Sequence, residues 1–168
     1  YGLPSIVTNC SNNYGPWQFP EKLIPYVILN SISNKIFTLY GDGKNIRDWI
    51  YVEDHIDALL EITKKGKVGS SYCIGANQEK TNEEVVDLIC KLLDNYHQIE
   101  IPHIKNKRYI KDRPGHDRRY GLNTQKIIDH TGWRPKYSFE KGLDFTIKWY
   151  LKNIDWCKEI IGKDNRNI

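Results

Sequence analysis

The chain has 168 residues, of which 39% are hydrophobic, 12% aromatic and 27% charged, a balance typical of folded domains and unlike that of a disordered polymer. No apolar run approaches the roughly 20 residues of a membrane-spanning helix, and no basic-then-apolar leader opens the sequence. We therefore expect a cytoplasmic chain that does not contact membranes. The cysteines are far apart and form no CxxC pair, so we expect buried thiols rather than a zinc knuckle or a disulfide framework.

The net charge of +4 is unevenly distributed along the chain. Between residues 105 and 119 seven basic residues accompany two acidic ones, so this segment carries +5 and the rest of the chain sums to −1. Such a segment suits a nucleic acid, an acidic partner or a phosphorylated small molecule. A run of basic residues taken alone is about as often a solvated face with no ligand as it is a binding site.

Strand and helix patterns alternate along the first part of the chain. Residues 4–10 are rich in β-branched side chains and predict a buried strand, which runs into a polar loop at 11–16. Apolar spacing predicts a helix over 23–32. A short strand at 37–40 follows, and after a glycine turn residues 46–52 predict an exposed strand or a loop.

The middle of the chain predicts two helices around one strand. Asp54 is placed to cap a helix that ends near Gly66. The predicted inner face of this helix is Ile56, Leu59, Leu60 and Thr63. After a short strand at 71–75, Thr81 and Glu84 form a capping-box pattern at the start of a second helix. The apolar positions of that helix are Val85, Val86, Ile89, Leu92 and Leu93.

Two further helices are predicted in the last third. Asn123 is placed to cap a short helix that ends at Gly132. Residues 139–151, preceded by the cap residue Ser138, predict an amphipathic helix. Its inward side chains are Leu143, Ile147, Tyr150 and Leu151. Because short strands and amphipathic helices intermix, the sequence predicts the α/β class.

Familiar catalytic and phosphate-binding motifs are weak or missing. The sequence contains neither GxGxxG nor GxxxxGK[ST], so it predicts no self-contained dinucleotide or P-loop site. Two Tyr-x-x-x-Lys matches occur, a spacing that on a helix lets the lysine lower the pKa of the tyrosine. Tyr40 and Lys44 span a glycine turn, and Tyr137 precedes the cap residue Ser138 in its match with Lys141. Neither tyrosine is therefore predicted to be catalytic.

Two polar side chains are candidates for ligand binding. Arg47 is either a strand-edge charge, paired with Asp48, or a bidentate phosphate ligand. His116 lies near Asp112 and Asp117 in a turn rich in arginine, which disfavours a metal ion and favours an imidazole that contacts a ligand. No metal ligand is predicted. The aromatic residues that fall near loops are Tyr14, Trp17 and Tyr40.

Four segments in this order resemble one enzyme family. They are Asn-Cys-Ser-Asn-Asn-Tyr-Gly-Pro at 9–16, Phe-Pro-Glu-Lys-Leu-Ile-Pro at 19–25, the run from Gly41 to His55, and Asp-Arg-Pro-Gly-His-Asp-Arg-Arg-Tyr at 112–120. The chain resembles the dTDP-glucose 4,6-dehydratases, members of the extended short-chain dehydrogenase/reductase superfamily. The last segment is close to diagnostic, whereas Asn-Tyr-Gly-Pro and Tyr-Val-Glu-Asp are shared by many nucleotide-sugar epimerases and decarboxylases.

The resemblance implies a particular part of such an enzyme. Residues 1–168 would be the C-terminal, nucleotide-sugar-binding half, with a last piece of the Rossmann sheet at about 1–20 and 48–76. The N-terminal half, which carries the NAD fingerprint and the catalytic Tyr-x-x-x-Lys helix in the family, would be missing. No catalytic residue is therefore assigned, and the chain alone is expected to be inactive.

The resemblance also implies the chemistry and partners of the parent enzyme. NAD would take hydride from sugar C4, water would leave across C5 and C6, and hydride would return to C6. The substrate would be a dTDP-sugar, the parent a homodimer, and neither nucleic acid nor a membrane a partner. Two alternatives stay open: a fragment of a UDP-sugar epimerase or decarboxylase, and a basic nucleic-acid-binding module.

Site residues follow from the family motifs position by position. The resemblance implies a cofactor contact for Asn13 and a substrate contact for Asn12. The other implied substrate contacts are Lys22 and Leu23 over the nucleotide-sugar, Thr38, Leu39 and Tyr40 beside the base, and Arg47, Asn82, Arg113 and His116 at the nucleotide and diphosphate. A diphosphate would explain why Arg47 and the segment 105–119 bring guanidinium groups together.

Overall fold

A computed structural model describes residues 2–97 and 99–163 and has the predicted α/β class. The predicted domain, 1–168, thus includes residues 1, 98 and 164–168, which lie outside the described residues. The strands are β1 (Val7–Cys10), β2 (Asn12–Tyr14), β3 (Phe37–Tyr40), β4 (Ile46–Tyr51), β5 (Ser71–Ile74), β6 (Glu79–Thr81), β7 (Lys107–Ile110) and β8 (Arg119–Tyr120). The helices are α1 (Leu23–Ile32), α2 (Val52–Lys65), α3 (Asn82–Tyr96), α4 (Gln125–Thr131), α5 (Phe139–Lys152) and α6 (Ile154–Lys163). None of these helices combines the length and apolar character that crossing a bilayer requires.

The described strands form three small sheets. β1 pairs with β5 and β3 pairs with β7, both in parallel. β4 is the centre of the third sheet, in parallel with β2 and β8 and antiparallel to β6. Parallel neighbours need a crossover between them, and α2 leads from the end of β4 to the β1–β5 pair. The β1–β5 pair lies within the segments predicted to complete a Rossmann sheet, and that assignment stays a prediction.

The main core lies between α1, α3, α5 and the sheet around β4. α1 has the predicted bounds, and α3 begins at the predicted cap residue Thr81. The two helices pack against each other. The predicted capping box is confirmed: the Thr81 hydroxyl accepts the Glu84 amide at 3.1 Å, and the Glu84 carboxylate accepts the Thr81 amide at 2.7 Å. The buried side chains of this core include Tyr14, Ile24, Val27, Phe37, Trp49, Val85, Ile89, Leu93, Phe139, Leu143, Ile147 and Tyr150.

The prediction of a buried first strand is wrong. All side chains of β1 are exposed, because among the described strands β1 pairs with β5 alone. The prediction of buried thiols fails for the same reason at Cys10, which is exposed, and in part at Cys73, which is half-buried on β5. Cys90 and Cys157 are buried as expected.

β4 is also more buried than its sequence predicts. The prediction for 46–52 was an exposed strand or a loop, but the last four residues of β4 are buried. Pairing on both edges explains this, since Trp49 is opposite Asn12 on β2 while Arg47 is opposite Lys80 on β6. Asp48 is buried, and its Oδ1 atom accepts the Gln78 amide at 2.7 Å.

α2 presents a different face to the core from the predicted one. The cap residue is Tyr51 rather than Asp54, which is in the first helical turn and buried. The inner face follows Asp54 at intervals of four, to Ala58 and Ile62, whereas the predicted inner residues Ile56 and Leu60 are 50% and 52% exposed. The carboxylate of Asp54 is buried at a position where the sequence predicts a polar cap. The buried face of α2 is therefore rotated about the helix axis relative to the predicted one. The helix ends at Gly66 as predicted.

The Asp54 carboxylate anchors the segment that leads into α5. Its two oxygens accept the backbone amides of Lys136 at 2.9 Å and Tyr137 at 3.1 Å. α5 then begins at its predicted cap, where the Ser138 hydroxyl accepts the Lys141 amide at 3.3 Å. Asp54 therefore does not cap the helix; its buried carboxylate binds two backbone amides of a distant segment instead.

Helix α4 and the C-terminal elements complete the described structure. The cap residue of α4 is Thr124, one residue after the predicted Asn123, although the Asn123 side chain still accepts the Gln125 amide at 2.9 Å. Gly132 ends α4 in a left-handed conformation, as predicted. The sequence predicted a loop at 11–16, where the structure has strand β2, and it did not predict β6, β7, β8, α6 or a short 3-10 helix at His103–Asn106.

The anchor predicts a large stability effect at Asp54. Asp54→Ala should lower the free energy of unfolding by about 3 kcal/mol, because two amides lose a charged acceptor. Urea denaturation of the purified chain measures this effect. Asp57→Ala is the matched control, since Asp57 lies on the same helix and pairs with the exposed Lys136 ammonium group instead. Equal losses for the two variants would contradict the anchor role.

Candidate functional site

A cleft of about 560 Å³ opens between α1, β3, β4, the start of α3 and the loop 111–118. All but one of the residues assigned to the site from the sequence line it. They are Asn12, Lys22, Leu23, Thr38, Leu39, Tyr40, Arg47, Asn82, Arg113 and His116. These residues come from six separate stretches of the chain, so the fold brings together what the sequence keeps apart.

The secondary structure explains how distant residues reach one cleft. Asn12 and Trp49 are register partners on the paired strands β2 and β4. Arg47 precedes Trp49 by two residues, and alternate residues of a strand point to the same side. Asn82 is the first residue of α3, and its backbone amide donates to the Asn45 carbonyl at 3.0 Å. β4 and the residue that precedes it therefore position Asn12, Arg47 and Asn82 around the cleft.

Arg47 keeps its charge available. Its Nη1 and Nη2 atoms donate to the backbone carbonyls of Ile46 at 2.7 Å and Asp117 at 2.9 Å. The pairing with Asp48 that the sequence left open is not observed; among the described residues no carboxylate forms an ion pair with Arg47. A guanidinium group has five N–H donors, so donors remain for an anionic ligand.

His116 is held by its own loop. The Asp112 carboxylate accepts a hydrogen bond from His116 Nδ1 at 2.7 Å, and the imidazole is 5% exposed. The edge of the Tyr40 ring lies against it, with 6.4 Å between ring centroids. Within the described parts of the chain, no cluster of three or more potential ligands could hold a metal ion. The geometry fits an imidazole poised to contact a ligand.

Most of the basic segment 105–119 is not directed at the cleft. Lys107 pairs with Asp87 at 2.6 Å, Arg118 with Asp42 at 2.8 Å and Arg119 with Glu79 at 2.5 Å. Only Arg113 and His116 of this segment line the cleft. Of the guanidinium groups in this segment, that of Arg113 lines the cleft together with Arg47, whereas those of Arg118 and Arg119 pair with carboxylates.

The cleft itself has a net positive charge. Lys22, Arg47 and Arg113 line it, while Glu21 is its one lining carboxylate. The Glu21 carboxylate forms an ion pair with Lys22 at 2.9 Å. The two arginines are therefore the cations best able to attract an anionic group, and they lie on different elements, one on β4 and one on the loop 111–118.

Asn13 is the one predicted site residue that does not line the cleft. Its side-chain amide donates to the Ser11 carbonyl at 3.1 Å and to Cys10 Sγ at 3.3 Å. The amide oxygen accepts from His55 Nδ1 at 2.8 Å. Burial lowers the pKa of His55. The cofactor contact of Asn13 stays a prediction.

Neither Tyr-x-x-x-Lys match has the geometry of a catalytic pair. Tyr40 is on β3 and is separated from Lys44 by the glycine turn. Tyr137 lies before α5, and the Glu53 carboxylate raises its pKa. A tyrosine that exchanges protons at neutral pH needs the opposite shift. That neither tyrosine is catalytic stays a prediction.

The sequence reasoning missed Glu21, Tyr26 and Trp49, which also line the cleft. Tyr26 follows Leu23 by three residues on α1 and so shares its face; its hydroxyl lies 3.3 Å from the Thr38 hydroxyl. Trp49 could have been found from its alternation with Arg47. Of the aromatic residues predicted near loops, Tyr14 is buried in the core, and the Trp17 ring packs against Trp149, with centroids 4.8 Å apart.

Comparison with known proteins places the chain in a family. The model of the GDP-mannose 4,6 dehydratase family matches residues 1–146, so the chain belongs to that family. Among curated relatives it is similar to the dTDP-glucose 4,6-dehydratase of Shigella flexneri, with 51% identity over 95% of this chain and 44% of the relative. The enzyme of the same name from Xanthomonas campestris is 48% identical over 96% of this chain and 46% of the relative.

Solved structures give the same result. A dTDP-glucose 4,6-dehydratase from Bacillus anthracis, in complex with NAD, is 49% identical with a TM-score of 0.85, covering 95% of this chain and 49% of that one. A UDP-glucose 4-epimerase from Thermotoga maritima is 27% identical with a TM-score of 0.80, covering 92% and 48%. The chain spans about half the length of these relatives. The resemblance to dTDP-glucose 4,6-dehydratases and the extended short-chain dehydrogenase/reductase fold are thereby confirmed.

Proposed function

We propose that this chain is the nucleotide-sugar-binding, C-terminal half of a dTDP-glucose 4,6-dehydratase. The observation that carries the proposal is the meeting of Asn12, Arg47, Asn82 and Arg113 in one cationic cleft. Two guanidinium groups on separate elements suit the two phosphates of a diphosphate, since each can form bidentate hydrogen bonds. The higher identity to dehydratases than to the epimerase supports the choice of a dTDP-sugar.

Each lining side chain has a role in this proposal. Arg47 and Arg113 neutralise the diphosphate, and His116 contacts it or the nucleotide through the nitrogen that Asp112 does not occupy. Thr38, Leu39 and Tyr40 lie beside the base, where the Tyr40 ring offers an aromatic face. The side-chain amides of Asn12 and Asn82 hydrogen-bond polar groups of the substrate. These interactions bind and orient the nucleotide-sugar, and they include no bond-breaking group.

NAD is the cofactor of the parent enzyme in this proposal and supplies hydride transfer. The Gly-rich fingerprint is missing from the sequence, and Asn13 is the one residue of this chain assigned to a contact with NAD. We therefore assign NAD binding mainly to a partner half, the N-terminal Rossmann segment of the family.

The surface around β1 supports a partner half of that kind. β1 leaves one edge unpaired among the described strands, and Val7 on this strand is exposed. Exposed apolar side chains next to an unpaired parallel strand indicate a surface that another element covers. Homodimerisation, expected for the parent enzyme, is assigned to that partner half.

The two arginines provide the first test. Arg47→Ala and Arg113→Ala should each weaken dTDP binding by about 1.5 to 3 kcal/mol, the range for hydrogen bonds to charged groups. Isothermal titration calorimetry on the purified chain measures the change. Arg119→Ala is the control, because Arg119 pairs with Glu79 away from the cleft. Unchanged affinity in the two cleft variants would leave Arg47 and Arg113 with structural roles only.

The nucleotide base separates this proposal from a UDP-sugar epimerase or decarboxylase. A ligand that binds only the folded chain raises its melting temperature, so dTDP should stabilise the chain more than UDP does at equal concentration. Differential scanning fluorimetry provides the comparison. A larger shift with UDP would replace the dTDP assignment.

The chain alone should not turn over substrate. We expect no 4-keto-6-deoxy product from dTDP-glucose when the purified chain is incubated with added NAD, because the catalytic Tyr-x-x-x-Lys helix is not in this sequence. Chromatographic detection of the product gives the answer. Product formation above that of a heat-treated sample would show that bond-breaking groups are present after all.

A further inference from the structure

The loop 111–118, which carries Arg113 and His116 to the cleft, is fastened at both ends to one stretch of chain. At its start the Gly41 amide donates to the Ile110 carbonyl at 2.9 Å, and at its end the Ile46 amide donates to the Arg118 carbonyl at 2.8 Å. The turn between β3 and β4 therefore runs alongside the loop and forms its support. Between these two fixed points, the loop geometry depends on side chains.

Asp112 is the side chain that organises the loop from within. Its Oδ1 atom accepts the Arg113 amide at 2.9 Å and His116 Nδ1 at 2.7 Å. The hydrogen bond from His116 lowers the pKa of Asp112, so the carboxylate stays an acceptor at neutral pH. Because a carboxylate only accepts, His116 Nδ1 must donate, which leaves Nε2 as the ring nitrogen available to a ligand.

Gly41 supplies the space that this carboxylate needs. A Cβ atom on Gly41 would lie 2.8 Å from Asp112 Oδ2 and 2.9 Å from its Cγ, closer than real Cβ atoms approach other groups. The backbone φ of Gly41 is also +60°, a conformation that favours glycine. The Asp112 carboxyl group is thus in contact with the bare backbone of Gly41 on one side and with its own loop on the other.

We propose that Asp112 is a positioning residue for ligand binding: its carboxylate, packed against Gly41, holds Arg113 and His116 so that both line the cleft. Asp112 itself does not line the cleft, and a carboxylate facing a diphosphate would repel it. Its effect on binding must therefore pass through the two residues it orients. The inference rests on the proposed function, since it assumes an anionic nucleotide as the ligand.

Substitutions of Asp112 separate geometry from charge. Asp112→Ala should weaken dTDP binding by about 10-fold, because the Arg113 amide and the His116 ring lose their common acceptor. Asp112→Asn should bind dTDP within about 2-fold of the unmodified chain or more tightly, since an amide oxygen accepts the same two bonds and one negative charge is removed. Titration calorimetry measures both, and thermal unfolding checks that both variants fold.

Substitutions of glycine test the packing of the Asp112 carboxylate against Gly41. Gly41→Ala should weaken dTDP binding by about 5- to 10-fold, because the added methyl group displaces Asp112. Gly69→Ala is the matched control: its φ is +79°, but no atom lies within 4 Å of the added Cβ. Both variants should lose stability through backbone strain, and only Gly41→Ala should lose affinity.

The outcomes distinguish this inference from the proposed function. If the unmodified chain binds dTDP and Asp112→Ala binds it equally well, Asp112 does not position the ligand groups. Equal losses for Asp112→Asn and Asp112→Ala, or for Gly41→Ala and Gly69→Ala, would overturn the inference as well. If the unmodified chain does not bind dTDP, the proposed function fails and the inference fails with it.

Discussion

The pairing of β4 on both edges is the constraint on which the cleft depends. β2 and β8 lie along one edge of β4 and β6 lies along the other, so the register of β4 fixes where three other strands lie. Through this pairing Asn12, Arg47 and Asn82 are placed around one opening. A strand with neighbours on both sides cannot slip by one residue without turning its side chains to the opposite face. The cleft geometry therefore depends on backbone hydrogen bonds more than on any contact between the lining side chains.

Local signals in the sequence were sufficient where local physics decides the structure. α1, α3 and α5 could be predicted because their apolar spacing and their caps, such as Thr81 and Ser138, are encoded within a few residues. The errors at β1, β4 and the inner face of α2 have a different origin. Each depends on which element packs alongside, and a charged residue such as Asp48 or Asp54 is buried only because a distant amide is there to meet it. β6 to β8 are too short and polar to be recognised before their partner strand is known.

The site shows the same division. Motif resemblance identified most of the lining residues, including Asn12 and Arg113, because the motifs carry them in a fixed order. Residues outside those assignments, Tyr26 and Trp49, are recognised only when the faces of α1 and β4 are known. Charge counting was the least reliable guide, since Arg118 and Arg119 have carboxylates of other elements as partners. A run of basic residues describes the sequence, whereas the electrostatic potential depends on the pairs formed in the fold.

Among the described strands β1 pairs with β5 alone, and this has a consequence for how the chain behaves in solution. A strand with an unoccupied side offers its amide and carbonyl groups to any extended peptide, including the same strand of another molecule. The exposed Val7 and Leu3 add an apolar surface to that template. Association of copies along this exposed edge of β1 would increase with the concentration of the chain.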